Sequence, residues 1–255
     1  MSSIFKSLII IAIFPCLAIL VGCSKVPESP AKSQVLVAAA SDLVKALPEL
    51  ANEFEAQSGV KVVSSFGPSG SFAQQIVNGA PFDLFLSADR RFVQQLLESK
   101  NIDGKSRRVY AFGKIVLYGP SVRIGGIGEL RLKDVKRIAI ANPAIAPYGR
   151  AAKQALERSR VWTEVAGKVV LAENIRQAME MADSGNVDVA ITAMSLLTGQ
   201  GFTEIPQQLY DSIQQEGAVV VRPKGNPQAA QKFLDYLGSP SGRRIMQKYG
   251  FSFPN

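Results

Sequence analysis

VLVAAASDLVKALPELANEFEAQSG, residues 35–59, is the stretch on which the fold turns. Val35 to Ala40 is an unbroken apolar run of strand length, the pattern of a strand buried on both faces of a parallel sheet. Ser41-Asp42 then gives a helix N-cap signal, and Leu43, Leu47, Leu50 and Phe54 recur at helical spacing as far as Gly59. Pro48 within that stretch predicts a first turn before it and a main helix that starts there. A buried strand feeding a capped amphipathic helix is the repeating unit of α/β folds.

The unit recurs downstream. Val60 to Phe66 reads as a second strand, Gly67-Pro68-Ser69-Gly70 as a turn, and a short helix with Phe72 and Ile76 on one face ends at Gly79. Leu84-Phe85-Leu86 is a third strand, and Asp89 caps a helix carrying Phe92, Leu96 and Leu97. Further strands are expected at Ile115–Tyr118, Arg137–Ala141, Val169–Leu171, Val187–Thr192 and Val219–Val221. Helices are expected from near Gly149, from near Asn174, over Gln228–Leu237 and over Ser241–Tyr249. This alternation predicts an α/β protein with mainly parallel sheets, and no internal repeat of 20–50 residues accompanies it.

Upstream the pattern is different. Lys6 supplies a positive start, and Leu8 to Val21 is an uncharged run of 14 residues, the length of a signal-peptide core and short for a membrane span. It ends in Leu20-Val21-Gly22-Cys23, which resembles the bacterial lipobox, where cleavage precedes a cysteine that becomes lipid-modified. Residues 1–22 are therefore expected to be a lipoprotein signal peptide. Residues 23–34, including the polar, proline-bearing SKVPESPAKS, form the tether of an exported, lipid-anchored body. Removing 22 of 255 residues leaves 233, with 28 Lys and Arg against 21 Asp and Glu, a balance of +7.

Composition excludes several chemistries. The chain is 47% hydrophobic and 20% charged, which is globular, and it contains no histidine and only two cysteines, Cys16 and Cys23. Ser-His-Asp and Cys-His catalysis and Cys/His metal clusters are thereby ruled out, and Cys16 leaves with the leader, so no disulfide remains. A secreted serine hydrolase is the distant alternative. Gly67-Pro68-Ser69-Gly70-Ser71 nearly forms a nucleophile elbow, but its last glycine is displaced and no histidine can activate Ser69. Ser58-Gly59-Val60-Lys61 matches S-x-x-K across a helix end, the wrong context. Gly125-Gly126-Ile127-Gly128 lacks a P-loop lysine. Arg90-Arg91, Arg107-Arg108, Lys136-Arg137 and Arg243-Arg244 are scattered pairs without interleaved aromatics, so no nucleic-acid partner is expected.

In open α/β sheets ligands sit beyond the carboxyl ends of strands, at helix N-termini. The junctions are Ser41-Asp42, Pro68-Ser69-Gly70, Ala146-Pro147-Tyr148-Gly149 and Glu173-Asn174-Ile175. They offer hydroxyls, free amides and glycine, with no lysine or arginine in the turn proper. Helix-start amides carry partial positive charge and bind anions. Arg150 and Arg176 follow two junctions closely. Either could help to neutralise an anion, although Arg176 is expected to pair with Glu173.

AAASDL (38–43), SSFGPSGS (64–71), APFDLFLSAD (80–89), ANPAIAPYGRAA (141–152), AENIRQA (172–178) and FLDYLGSPSGRRIMQKYGF (233–251) resemble the molybdate-binding proteins of bacterial ABC transporters. The likeness runs in order through nearly the whole body. It implies a type II periplasmic binding fold, two α/β lobes joined by two hinge crossovers that close on a tetrahedral oxyanion. Lobe one is expected over 35–110 plus 222–255 and lobe two over 111–221. Carried over residue by residue, hydroxyl donors fall on Ser41 and Ser69, and amide donors on Ser41, Ser69, Tyr148 and Ile175, with the Asp42 amide as an addition. Some members add a tyrosine hydroxyl after the Val187–Thr192 strand, where this sequence has Ala193.

The resemblance implies capture of molybdate and tungstate for an ABC permease, by a monomer without a cofactor or a reaction; molybdenum enters only within the oxyanion. Sulfate or phosphate in the same fold is the alternative. Ferric iron would need converging tyrosinate or carboxylate ligands, for which only Tyr148 and Asp42 are at hand. Molybdate and sulfate are fully deprotonated at neutral pH and suit a donor-only pocket. Phosphate retains a proton that needs an acceptor, and leaving it unpaired costs about 1–3 kcal/mol. Asp42 is the one acceptor near the junctions, and its side chain is expected to cap its own helix.

Overall fold

The computed structural model describes residues 33–253 apart from 198 and 200. The signal peptide, Cys23 and nearly all of the expected tether lie outside the described residues. Ten strands form two five-stranded sheets. The first contains β1 (Gln34–Ala40), β2 (Lys61–Gly67), β3 (Leu84–Ser87), β4 (Arg108–Gly113) and β10 (Ile213–Val219), in the order β2-β1-β3-β10-β4. The second contains β5 (Ile115–Tyr118), β6 (Ile138–Ala141), β7 (Val169–Ala172), β8 (Val189–Ala193) and β9 (Phe202–Glu204), in the order β7-β6-β8-β5-β9. The fold is a type II periplasmic binding fold. Each sheet is mixed, rather than mainly parallel as the sequence suggested. β1 pairs in parallel with β2 and β3, and β6 with β7 and β8, while β10 and β5 run antiparallel to both neighbours.

The antiparallel strands are those next to the crossings. β4 passes to β5 through Lys114 alone, and the chain returns between β9 and β10. In each sheet the antiparallel strand is the first one after a crossing. The first sheet takes up the chain again at Ile213, and the strand expected at Val219–Val221 lies mostly upstream of its expected place. The apolar count missed Ile213–Val219 because it carries Gln215 and Glu216. Both are buried, their polar atoms taken up by Tyr110 Oη (3.1 Å from Gln215 Oε1) and Arg107 Nε (2.8 Å from Glu216 Oε1).

The helices are α1 (Ala46–Ser58), α2 (Ser69–Val77), α3 (Arg90–Glu98), α4 (Pro147–Arg158), α5 (Trp162–Val165), α6 (Ile175–Asp183), α7 (Pro227–Leu237) and α8 (Pro240–Lys248). Because β1 alternates faces, Val35, Val37 and Ala39 join Leu47, Leu50, Phe54, Phe233 and Met246 beneath α1, α7 and α8, while Ala38 joins Phe72, Ile76, Val93 and Leu96 beneath α2 and α3. Burying each of the large side chains contributes roughly 1.5–3 kcal/mol. In the second sheet, Ile138 and Ile140 pack with Ala151, Ala152, Ala155 and Leu156 of α4. The opposite face is lined by Ala139, Ala172, Ala178, Ala182 and Ala190, small side chains that let α6 lie close. Asp83 anchors the segment that follows β10 to the first sheet, accepting from the Leu36 and Asn226 amides (both 2.8 Å) and from Arg222 Nη2 (2.7 Å).

Candidate functional site

Four parallel strands, two from each sheet, end at one place, and each is followed by a helix start. β1 runs directly into a 3-10 turn, Ser41–Leu43. After β2, Pro68 holds extended backbone (φ −63°, ψ 135°) and α2 opens at Ser69. After β6 a short loop leads to Pro147 at the first position of α4, and after β7 Asn174 caps α6. Gly149 permits the approach of α4 to β6, since a Cβ there would collide with the Ala141 carbonyl.

A small cavity lies where the four meet, lined by Ala40, Ser41, Asp42, Gly67, Pro68, Ser69, Ala88, Ala146, Pro147, Tyr148, Asn174 and Ile175. The space enclosed in this arrangement is small, about that of one water molecule. The structure thus brings together Ser41, Asp42, Ser69, Tyr148 and Ile175. Ala193 lies elsewhere, fully buried at the end of β8 opposite Ile115 and absent from the cavity lining. Cys23 lies outside the described residues.

The lining is a set of donors. First-turn amides have no acceptor within their own helix. Proline at the start of α4 has no N–H, so Tyr148 carries its first amide. The Asn174 side chain accepts from the Arg176 (3.0 Å) and Gln177 (3.1 Å) amides and leaves that of Ile175 to the cavity side of the cap. Thr192 Oγ1 donates to the Ile175 carbonyl at 2.9 Å and pins the start of α6 to β8. Ser69 Oγ, almost fully buried, accepts from the Ala88 amide at 3.0 Å. With that lone pair engaged, its own proton is available to an acceptor in the cavity. The summed partial charges of four helix starts favour an anion without any counter-ion.

Among the described residues no lysine or arginine lines the cavity. Arg150 faces a neighbouring hollow of about 260 Å3 that shares Ala88 and Pro147 with it, and there it forms an ion pair with Asp89. Asp89 caps α3 as expected, accepting from the Arg91 amide at 2.8 Å. Arg176 pairs with Glu180 at 3.4 Å rather than with Glu173, since an i, i+4 partner on the same helix face is nearer than one preceding the cap. Among the described residues no group of three or more His, Cys, Asp and Glu side chains could hold a metal ion.

Asp42 departs from expectation. Its side chain caps no helix; Ala40 holds the cap position of the 3-10 turn, without a side-chain bond. Instead the carboxylate is fully buried, and its Oδ2 accepts from Tyr148 Oη and Gln215 Nε2, both at 2.7 Å. Two strong buried donors are a better match for a carboxylate than one peptide amide. Burial pushes its pKa from 3.8 up to about 6, against the lowering effect of Tyr148, of the Asp42 and Leu43 amides and of Gln215. Burial and the Asp42 charge hold the Tyr148 phenol well above its ordinary pKa, so it remains a neutral donor. Gln215 and Ala88 went unread in the sequence. Only a polar pair inside a strand-like run, Gln215-Glu216, pointed toward the former.

Two mixed α/β sheets, opposed helix starts and a small donor-lined cavity between strand ends define a solute-binding protein. Residues 35–252 match the bacterial extracellular solute-binding protein family, and the chain belongs to it. It is 35% identical over 229 residues to the molybdate-binding protein of Azotobacter vinelandii, covering 86% of this chain and 90% of that one. It is 29% identical to the molybdate-binding protein of Escherichia coli K12, covering 87% and 90%. The solved structure of the Azotobacter vinelandii periplasmic molybdate-binding protein superposes with a TM-score of 0.81 at 29% identity, over 87% of this chain and all of that one. These relatives are binding proteins by name.

Proposed function

We propose that the chain captures molybdate, and tungstate with it, outside the cytoplasm and hands it to an ABC permease. The observation that carries this is the cavity, which Ser41, Asp42, Ser69, Tyr148 and Ile175 help to line at four strand-to-helix junctions; in this reading the hydroxyls of Ser41 and Ser69 and the amides of all five are the donors. Such a lining satisfies a fully deprotonated tetrahedral dianion. Of the Asp42 carboxylate, Oδ2 already serves Tyr148 and Gln215. Two lobes built on the two sheets close on the anion by a hinge at the crossings, and the anion is ligand rather than cofactor. The body works as a monomer, held to a membrane through lipid on Cys23. The names of the Azotobacter and Escherichia relatives support the choice of anion.

A thermal-shift series with molybdate, tungstate, sulfate and phosphate at equal concentration tests this. Ligand at 100 times its dissociation constant adds about 2.7 kcal/mol, a rise of roughly 5–11 °C at this size. Molybdate and tungstate are expected to give that rise and phosphate none. A rise with sulfate or phosphate alone would retain the fold and overturn the ligand.

A further inference from the structure

Tyr148 has two ends. Its amide stands at the cavity, at the start of α4, which packs on the second sheet. Its phenol crosses to the first sheet and donates to Asp42 Oδ2 at 2.7 Å. Gln215 on β10 completes the contact: its Nε2 lies 2.7 Å from Asp42 Oδ2 and 3.2 Å from Tyr148 Oη. Tyr110 Oη donates to Gln215 Oε1 at 3.1 Å, which fixes the orientation of that amide. The phenol fits because residue 113, at the end of β4, is glycine; a Cβ there would collide with Tyr148 Oη. A second bond reinforces the junction, from Ser195 Oγ, after β8, to the Asp42 carbonyl at 2.7 Å.

We infer that Asp42 and Gln215 are positioning residues that grip the Tyr148 phenol across the boundary between the two sheets and thereby make retention of the anion depend on closure. The inference rests on the oxyanion reading above. Donor and acceptor belong to different sheets, so separating the sheets breaks the Tyr148–Asp42 bond and withdraws the Tyr148 amide from the cavity in one movement. A bond present only in the closed arrangement slows release and leaves encounter unaffected. Asp42 is thus a grip for the tyrosine through its carboxylate while its amide faces the ligand.

The test measures molybdate affinity by calorimetry and release of labelled molybdate into excess unlabelled anion. Wild type, Tyr148→Phe, Asp42→Asn, their double variant and Gln215→Met are compared, with the melting temperature of each ligand-free protein recorded alongside. Tyr148→Phe is expected to weaken binding about 10- to 100-fold, nearly all of it as faster release. Asp42→Asn keeps an acceptor oxygen and is expected to lose less, and the double variant to be no worse than Tyr148→Phe alone. If Tyr148→Phe does not fold, Gln215→Met carries the same prediction, with release faster by about 3- to 10-fold. Folded variants that release molybdate at the wild-type rate overturn the inference, even if their melting temperatures fall. Failure of the wild type itself to bind molybdate overturns the ligand reading, and this inference with it.

Discussion

Asp42→Asn should stabilise the closed protein at neutral pH and leave it unchanged in acid. The carboxylate is fully buried and its pKa stands at about 6 against an ordinary 3.8. The folded state therefore binds this proton more tightly than the unfolded state. Stability contributed by the protonated acid is fully present below about pH 4 and is lost as pH rises through about 6. Two units and a little more, at 1.36 kcal/mol each, amount to about 3 kcal/mol. Asparagine carries no charge to desolvate and still offers an oxygen to Tyr148 and Gln215. The stability difference, variant minus wild type, should grow by about 3 kcal/mol between pH 4 and pH 7, or roughly 6–12 °C in melting temperature. Urea unfolding at pH 4, 5, 6 and 7 measures it, and subtraction removes the other titrating groups. A difference that is flat with pH, or that moves against the variant as pH rises, would refute the claim that burial dominates at Asp42.

Two further substitutions probe the scaffold around the cavity. Gly113→Ala places a methyl group against Tyr148 Oη and should destabilise the closed protein by about 1–3 kcal/mol and weaken anion binding, read by melting temperature and calorimetry. Asn174→Ala removes the cap of α6 and should cost about 1 kcal/mol, a fall of roughly 2–4 °C in melting temperature, with a loss of anion affinity as the Ile175 amide loses its fixed position.

Residues 35–59 disclosed the strand-to-helix rhythm because an apolar run and a 3.6-residue period are local signals. The four junctions followed from it, since strand ends and caps are adjacent in sequence. What stayed hidden was whatever depends on distant partners. Ile213–Val219 does not read as a central strand, because Gln215 and Glu216 are buried only by virtue of Tyr110, Asp42 and Arg107, 100 residues or more away in sequence. The mixed character of each sheet was hidden for the same reason: β10 and β5 take their direction beside β3 and β8, strands distant from them in sequence. The carboxylate of Asp42 looked like a helix cap because capping is the local use of an Asp after a strand. Its actual partners, Tyr148 and Gln215, lie 106 and 173 positions away.

The placement of β10 between β3 and β4 also sets an order of assembly. β4 touches no other strand of its sheet, so the first sheet lacks a link until residues 213–219 exist, whereas the second sheet is drawn from the unbroken stretch 115–204. On a growing chain the second sheet has all its strands while the first still waits for its keystone. Segments β1 to β3 meanwhile expose the edge that β10 will cover. Until the last forty-odd residues arrive, half of the molecule is a folding substrate rather than a folded domain, and a chain truncated before Ile213 would have no means of holding β4.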